Sequence, residues 1–264
     1  MAEPSSVPTA RTGGVQSLER AFGILEAMAD AGGMISLSQL AEQLSLAPAT
    51  IHRLIRSLVD LGYVRQESNR QYSLGPKLLR LSAESARRIG VWAGPYLSRA
   101  VEQLGESVNV AVLEDDHVTY VAQVQPSTTL MRMFTEVGRR TLPHGTAVGK
   151  VMLAQLPEDE VRALLARTGM PRLTEHTRTT PEQLLENLAL TRGRGYATDE
   201  EEQEIGVRCV AVPVPGAPRK MALSMSGPSA RMDDAAVRRG VTVLRETARQ
   251  IADVLGSDRS LLIG

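Results

Sequence analysis

The chain has 264 residues, of which 42% are hydrophobic, 23% charged and only 3% aromatic. This length supports two domains with separate cores, which aliphatic side chains and methionine must fill. No apolar run reaches the roughly 18–20 residues that span a bilayer, which excludes a transmembrane protein. Residues 1–14 lack the basic and apolar regions of a signal peptide, and the single Cys209 excludes an internal disulfide. These features predict a cytoplasmic protein.

The overall charge balance does not indicate a nucleic-acid partner, because 30 Lys and Arg residues match 30 Asp and Glu residues. The distribution is more informative. Residues 45–90 hold eight basic and three acidic side chains, a net charge of +5. A local basic surface is enough to attract phosphates, because the attraction acts within a Debye length of about 10 Å. Alone, such a segment could equally be an ordinary solvated face.

The first 75 residues predict a disordered arm followed by helices. Residues 1–14 are rich in Pro, Ser, Thr and Gly, which favours disorder. A helix is expected from about Gln16 to Ala31, ended by two glycines. Its expected inner face is formed by Leu18, Ala21, Phe22, Leu25 and Met28. A second helix, capped by Ser36 or Ser38, turns Leu37, Leu40, Ala41 and Leu44 inward.

The helix that begins at Pro48 carries the clearest functional pattern. Its apolar residues Ile51, Leu54, Ile55 and Leu58 follow the i, i+3, i+4, i+7 spacing of one buried face. The opposite face presents small, polar and basic groups and no acidic residue between positions 47 and 59. Such a face fits the major groove of DNA.

Two short strands, Tyr63–Glu67 and Gln71–Leu74, follow this helix and form a hairpin. Asn69 is expected to adopt the left-handed conformation that its tight turn needs. Three helices and a hairpin predict a winged helix-turn-helix domain over residues 15–75. The expected DNA contacts are Ala49, Thr50, His52, Arg53 and Arg56 on the helix, with Arg65, Asn69 and Arg70 on the wing. The alternative is a winged helix that binds another protein.

The remaining chain predicts a linker and a second domain. Residues 76–104 should form two helical pieces, interrupted near Gly90 and Gly94-Pro95. Residues 105–258 predict an α+β domain with a largely antiparallel sheet, because hairpins outnumber βαβ units. The expected strands are Val108–Val112, His117–Val124, Met131–Val137, Val207–Val214 and Lys220–Ser226. The expected helices are Thr146–Leu156, Glu158–Arg167, Pro181–Arg194 and one that begins near Asp233.

The segment His144–Lys150 superficially resembles a phosphate-binding loop. Its two glycines are separated by three residues instead of four, and Val151 follows the lysine where Ser or Thr is needed. The nucleotide interpretation therefore fails. What remains is a turn that opens a helix, whose free N–H groups suit a carboxylate, or an ordinary helix start.

Strand alternation offers a candidate ligand surface. Ser224 and Ser226 share one face of their strand, and Cys209 shares a face with Ala211 on another. Small and hydroxylated side chains leave room for a ligand and can hydrogen-bond it. Asp199 lies just before these strands, although a solvated acidic run explains residues 199–202 equally well.

Catalysis and metal binding find little support. The four histidines are scattered, so the sequence predicts no metal site and no cofactor. Cys209 and His144 could form a thiol–imidazole pair, but nothing in the sequence brings them together. An alternative remains in which a small-molecule enzyme, with Cys209 or Asp199 catalytic, is fused to a helix-turn-helix.

Taken in order, several segments resemble the IclR family of bacterial transcriptional regulators from Gln16 to Leu255. The matching segments are Gln16–Ala21 with the winged helix, the His144–Lys150 turn, Gly193–Glu201, Gly206–Cys209 and Ser224–Pro228. The resemblance implies a linker helix, a GAF-like effector-binding domain, and a dimer or dimer of dimers on palindromic operators. The likeness is greatest to repressors of allantoin and purine-ureide catabolism, on Val108–Val110, Met131–Met133 and Gly206–Cys209.

The resemblance also implies an effector site for glyoxylate-like acids. Carried over to this chain, it comprises the turn amides of Ala147 and Val148 and the side chains of Asp199, Cys209, Ser224 and Ser226. Relatives have Gly-Ala where this chain has the bulkier Ala147-Val148. The expected function is a ligand-responsive repressor of an allantoin, purine or glyoxylate operon. The protein would bind double-stranded DNA as a homodimer or homotetramer. A small carboxylate such as glyoxylate, allantoate or a related ureide would release it from the DNA.

Overall fold

The computed structural model describes residues 15–127 and 136–257, without the side chains of 86–91 and 257. The expected disordered arm over residues 1–14, and residues 131–135 of the expected third strand, lie outside these ranges. The chain divides into two compact units, one ending at Glu84 and the other beginning at Ser85. Within the described ranges, the helices are too short or too polar to cross a membrane.

The first unit is a three-helix core with a small antiparallel sheet. Its elements are α1 (Gln16–Asp30), β1 (Met34–Ile35), α2 (Leu37–Gln43), α3 (Pro48–Asp60), β2 (Val64–Gln66) and β3 (Tyr72–Leu74). The strand order is β1-β3-β2, with Val64 paired to Leu74 and Ile35 to Tyr72. All three helices and the sheet share one apolar core. This arrangement is the expected winged helix-turn-helix.

The inner face of α1 agrees only in part with the sequence expectation. Met28 is buried and Ala21 and Leu25 pack against the core, as expected. Leu18 and Phe22 are instead 56% and 58% exposed, and Ile24 and Ala27 are buried. Apolar residues occupy two overlapping faces of this helix, so periodicity alone does not tell which one meets the core. Leu18 and Phe22 therefore remain available on the surface of this unit.

The segment after the wing is one continuous helix, α4 (Lys77–Leu104), rather than two pieces. Pro95 lies inside it, which removes one N–H donor without ending the helix. The predicted interruptions near Gly90 and Gly94-Pro95 were wrong. The boundary between the two units falls within this helix.

The second unit is built on a six-stranded antiparallel sheet of order β6-β5-β4-β9-β8-β7. The strands are β4 (Ser107–Glu114), β5 (His117–Val124), β6 (Arg140–Thr141), β7 (Ala197–Glu200), β8 (Val207–Pro213) and β9 (Met221–Pro228). The helices are α5 (Ala147–Leu153), α6 (Glu158–Thr168), α7 (Pro181–Arg194) and α8 (Asp234–Ser257), with a 3₁₀ turn at Pro143–Gly145. The predicted α+β class with an antiparallel sheet is confirmed.

The two faces of this sheet have different cores. On one face, Leu223 and Met225 pack with Leu97 of α4 and Leu244 of α8. On the other face, Ala211 and Ala222 pack with Ala147, Val148 and Met152 of α5 in a smaller cluster, named here the α5 face. Small side chains on the α5 face let a short buried helix lie close to the strands. This face positions the candidate effector site.

Candidate functional site

The candidate nucleic-acid surface lies on α3. Ile51, Leu54, Ile55 and Leu58 are buried, as the periodicity predicted. Ala49, His52, Arg53 and Arg56 are exposed and Thr50 is half-buried on the outer side. All five predicted contact residues of this helix therefore remain accessible to some degree.

The turn before α3 and the preceding helix fix its direction. Pro48 occupies the first turn of α3, where a missing N–H costs nothing. Ser36, rather than Ser38, caps α2 through a reciprocal capping box with Gln39. Leu40 of α2 is fully buried against the shared core. Helix α3 is thus held through its apolar side, which packs in the shared core.

The wing presents a basic tip whose turn differs from the expectation. Arg70, with φ of 64°, adopts the left-handed conformation that was predicted for Asn69. The Asn69 amide instead accepts from the Gln71 backbone N–H and donates to the Gln71 side chain at 2.8 Å. This local bonding makes Asn69 a structural part of the turn and leaves Arg70 at its exposed tip.

Arg65, the third predicted contact on the wing, projects from β2 with its side chain 63% exposed. It forms a loose ion pair with Glu67 at 3.4 Å, and the same carboxylate accepts a 2.5 Å hydrogen bond from the Ser73 hydroxyl. Because an exposed pair of this kind is weak, a phosphate can compete with Glu67 for the guanidinium.

The four predicted effector-binding side chains come together on the α5 face. Asp199 of β7 lies opposite Cys209 of β8, and Cys209 lies opposite Ser226 of β9. Ser224 is one pleat further along β9 and points to the same side. Asp199, Ser224 and Ser226 are each 2% exposed. The strand β7 itself was not predicted from the sequence.

The two predicted turn residues lie at the start of the helix that covers this face. Ala147 and Val148 are the first two residues of α5 and are buried in the α5 face cluster. N–H groups in the first turn of a helix have no helical acceptor. Thr146 caps the helix by accepting from the Gly149 N–H at 3.0 Å. All six carried-over effector residues therefore belong to one side of the sheet.

The glycine of this turn serves a close backbone approach. A methyl group on Gly149 would lie 2.6 Å from the Pro143 carbonyl carbon, and closer still to the oxygen and Cα of that residue. The spacing that superficially suggested a phosphate loop thus reflects how tightly α5 packs on the 3₁₀ turn.

Sequence reasoning missed a buried ion network beneath the site. Lys150, fully buried in α5, donates to a Glu202 carboxylate oxygen at 2.5 Å. Arg178 approaches the second oxygen of Glu202 at 2.6 Å. Burial lowers the pKa of Lys150, and the carboxylate opposes this shift. With Asp199 and Glu202 both buried, the solvated-surface interpretation of residues 199–202 is wrong for these two positions.

Burial in the site favours the neutral forms of Asp199 and Cys209. Burial raises the pKa of Asp199 to about 7, although the nearby Lys150 opposes this shift. Its Oδ1 atom accepts the Glu202 N–H at 2.7 Å, which holds the carboxyl group in place. Burial, followed by the charge of Asp199, also raises the pKa of the Cys209 thiol. A neutral thiol of this kind is a poor nucleophile.

A second missed feature is the polar row that continues across the sheet from the serines. Asn109 of β4 is fully buried and bonds to both Ser224 and Ser226. Tyr120 of β5 belongs to the α5 face cluster, and burial raises the pKa of its hydroxyl, with Cys209 and Asp199 adding to the shift. Alternation along β4, the argument used for Ser224 and Ser226, could have identified Asn109.

The residues considered for catalysis or metal binding have other partners. His144 bonds through Nε2 to the Pro171 carbonyl oxygen at 3.0 Å, and burial lowers its pKa. In the described part of the chain, no three His, Cys, Asp or Glu side chains converge as a metal ion requires. The arrangement places the buried polar side chains of Asp199, Ser224 and Ser226 between the sheet and the first turn of α5.

Comparison with known proteins gives the family. The profile of the IclR helix-turn-helix domain matches residues 17–68, and that of the bacterial transcriptional regulator IclR C-terminal domain matches residues 83–253. The chain is 34% identical to the transcriptional repressor IclR of Escherichia coli K12, over 97% of this chain and 96% of that protein. It is 32% identical to the transcriptional repressor AllR of the same strain, over 92% and 91%.

Solved structures of similar proteins share this fold. A regulator of this family from Alicyclobacillus acidocaldarius matches with a TM-score of 0.77 and 27% identity, over 91% of this chain and 99% of that one. A homologue from Microbacterium hydrocarbonoxydans, solved with 4-hydroxybenzoate, matches with a TM-score of 0.70 and 25% identity over 92% and 100%. Relatives such as KdgR and XynR are 32–34% identical, so identity does not single out AllR. The chain therefore belongs to the IclR family of bacterial DNA-binding transcriptional regulators and is not an enzyme.

Proposed function

We propose that this protein is a repressor of a catabolic operon for allantoin, purine or glyoxylate metabolism, released from DNA by a small organic acid. The single observation that carries the DNA-binding part is the outer face of α3, where Arg53 and Arg56 stand exposed and no acidic residue lies between positions 47 and 59. In this proposal Ala49, Thr50, His52, Arg53 and Arg56 enter the major groove. Arg65 and Arg70 hold phosphates beside the wing, and Asn69 supports the turn between them.

The proposed assembly is a homodimer, or a homotetramer made of two dimers, in the cytoplasm where bacterial operators lie. An apolar stripe on α1 supports self-association: Val15, Leu18 and Phe22 are 65%, 56% and 58% exposed. Such a stripe at helical spacing suits the same stripe of a second copy. Two winged helices would then read half-sites about 34 Å apart, or a multiple of that distance, on a palindromic operator.

The proposed effector is a small carboxylate such as glyoxylate, allantoate or a related ureide. It lies against Asp199, Cys209, Ser224 and Ser226, with the first-turn amides of Ala147 and Val148 facing its carboxylate. The binding of 4-hydroxybenzoate by a homologue supports an organic acid as the class. An effector shifts operator affinity only by its differential affinity for two states, typically by about 5–150-fold.

The DNA-binding proposal is tested by selecting duplexes from a random library with the full-length protein. We expect an inverted repeat, bound by fluorescence anisotropy with a steep salt dependence. Arg53→Ala should weaken DNA binding by at least about tenfold. Arg238→Ala, an equal charge change at an exposed position of α8, should not weaken it. Equal effects of the two variants would refute the assignment of α3.

The effector proposal is tested by titrating glyoxylate, allantoate, allantoin and pyruvate into the protein–DNA complex. At least one acid should release the DNA. Ser224→Ala combined with Ser226→Ala should abolish release while DNA affinity without effector stays unchanged. A double variant that still releases DNA normally would refute the site.

A further inference from the structure

A chain of side-chain amides crosses the sheet and ends at the two serines. The Gln125 amide donates to the Gln123 carbonyl oxygen at 3.0 Å, and the Gln123 amide donates to Asn109 Oδ1 at 2.8 Å. Asn109 Nδ2 then donates to Ser224 Oγ at 3.2 Å and to Ser226 Oγ at 3.3 Å. Asn109 lies directly opposite Gln123 on β5 and Ser224 on β9. The links of Asn109 to Gln123 and to Ser224 are therefore set by strand register.

This chain fixes which way the Asn109 amide faces. An amide has one acceptor end and one donor end. Because Gln123 occupies the acceptor end, the two N–H groups of Asn109 are directed at the serines. The reverse orientation would require the amides of Gln123 and Gln125 to turn over together with Asn109.

The orientation of Asn109 in turn fixes the serine hydroxyls. A hydroxyl has a single proton and accepts through its lone pairs. Since both oxygens accept from Asn109, the protons of Ser224 and Ser226 are left to donate to a third group, and for Ser226 the facing Cys209 sulfur is one such acceptor. On the α5 face, these hydroxyls are donors whose direction is settled before a ligand arrives. Such preorganised donors favour an acceptor, above all a charged carboxylate oxygen.

We propose that Asn109 is a positioning residue that makes the effector site selective for carboxylates, acting through the Ser224 and Ser226 hydroxyls and not by touching the ligand. The inference rests on the proposed effector site. It adds a determinant of ligand class that is absent from the six residues carried over by family resemblance. Gln123, half-buried, is the residue that holds Asn109 in this orientation.

A purely structural role for Asn109 makes a different prediction. If the role of Asn109 were only structural, its substitution would lower the stability of the protein. The preference of the effector site between a carboxylate and its neutral amide would stay unchanged. The informative quantity is therefore the ratio of the dissociation constant of an amide to that of the matching acid. Two probe pairs of different size are suitable: pyruvate with pyruvamide, and 4-hydroxybenzoate with 4-hydroxybenzamide.

The experiment measures these constants by calorimetry on the full-length protein and checks folding by circular dichroism. The wild type should prefer the acid of at least one pair by about tenfold or more, as expected for a charge-assisted bond. Asn109→Ala should reduce that ratio at least threefold. Asn109→Asp replaces the N–H donors that face Ser224 and Ser226 by an acceptor oxygen, and it should reduce the same ratio at least tenfold.

Gln123→Leu tests the same proposal without altering the buried asparagine. It removes two side-chain hydrogen bonds at a half-buried position, the one donated to Asn109 and the one accepted from Gln125, and the protein should still fold. The acid-to-amide preference should fall about threefold. Thr119→Val on the same strand is the matched control and should leave the preference unchanged. If Asn109→Ala or Asn109→Asp fails to fold, this comparison decides the question.

The outcomes separate this inference from the proposed function. If the wild type binds neither of these acids nor any acid of the release titration, the effector class is wrong and this inference falls with it. If the wild type prefers the acid and both Gln123→Leu and every folded Asn109 variant keep that preference, the effector site stands and only the role of Asn109 is refuted.

Discussion

Replacing Gly149 by alanine should destabilise the second unit strongly, although the position is helical. Alanine normally stabilises a helix interior by about 0.5–1 kcal/mol relative to glycine. Here the added methyl would lie 2.6 Å from the Pro143 carbonyl carbon, with the oxygen and Cα of Pro143 even nearer. The obstacle is backbone, which cannot move aside by changing a rotamer, so α5 and the 3₁₀ turn must separate.

The magnitude follows from what this separation disrupts. Overpacking a core typically costs about 1–3 kcal/mol, and a backbone obstacle places this variant at or above the upper end. The fully buried neighbours Val148 and Met152 also lose contacts with the sheet as α5 shifts. After the gain in helix propensity is subtracted, we expect a net loss of about 2–3 kcal/mol. For a unit of this size, that corresponds to roughly 4–12 °C in melting temperature.

Thermal unfolding followed by circular dichroism, with urea unfolding in parallel, measures the effect. Gly193→Ala is the matched control, because Gly193 is also helical, in α7, and has no atom within 4 Å of an added methyl. That variant should be unchanged or more stable by up to about 1 kcal/mol. If Gly149→Ala melts within 1–2 °C or so of the wild type, the close approach of α5 to Pro143 is refuted.

Three further features are tested by unfolding experiments. Lys150→Met should lower the free energy of unfolding by about 3–5 kcal/mol, because it leaves the buried Glu202 carboxylate with less compensating charge. Adding Glu202→Gln should recover part of this loss. A loss below about 1 kcal/mol for the single variant would contradict the prediction. The folded protein retains the Asp199 proton up to about pH 7, whereas the unfolded chain releases it near 3.8, so this group makes stability fall as pH rises between these values. Asp199→Asn should flatten that fall, and an unchanged pH profile would exclude a buried, protonatable Asp199. Ser36→Ala should lose about 1 kcal/mol with the capping box, while Ser38→Ala should stay within about 0.5 kcal/mol of the wild type.

The parts of the fold that sequence predicted well have strong periodicity. The buried residues of α3 follow one unbroken helical face, so both the helix and its exposed side were predictable. The inner face of α1 was predictable only in part, because Leu18 and Phe22 compete with Ile24 and Ala27 at helical spacing. Which of the two apolar faces of α1 is buried depends on where the other helices and the sheet of this unit pack against it.

The site was predictable where residues share a strand and less so where distant segments meet. Alternation placed Ser224 and Ser226 together correctly, and the same argument could have added Asn109. Lys150 and Glu202 are 52 positions apart, and no local spacing indicates that they pair. β7 has only four residues, two of them acidic, which is why a charged surface run was an equally good interpretation.

The pairing of β4 with β9 has a consequence for the order in which the chain acquires structure. Val108 is paired with Met225, so the centre of the second sheet cannot close until the ribosome has made nearly the whole protein. The winged helix belongs to a compact unit that ends at Glu84, and it can fold long before that. Nascent chains that end before β9 should therefore contain a folded winged-helix domain and a β4 strand whose edge is unpaired. The unpaired edge should make these chains prone to aggregate.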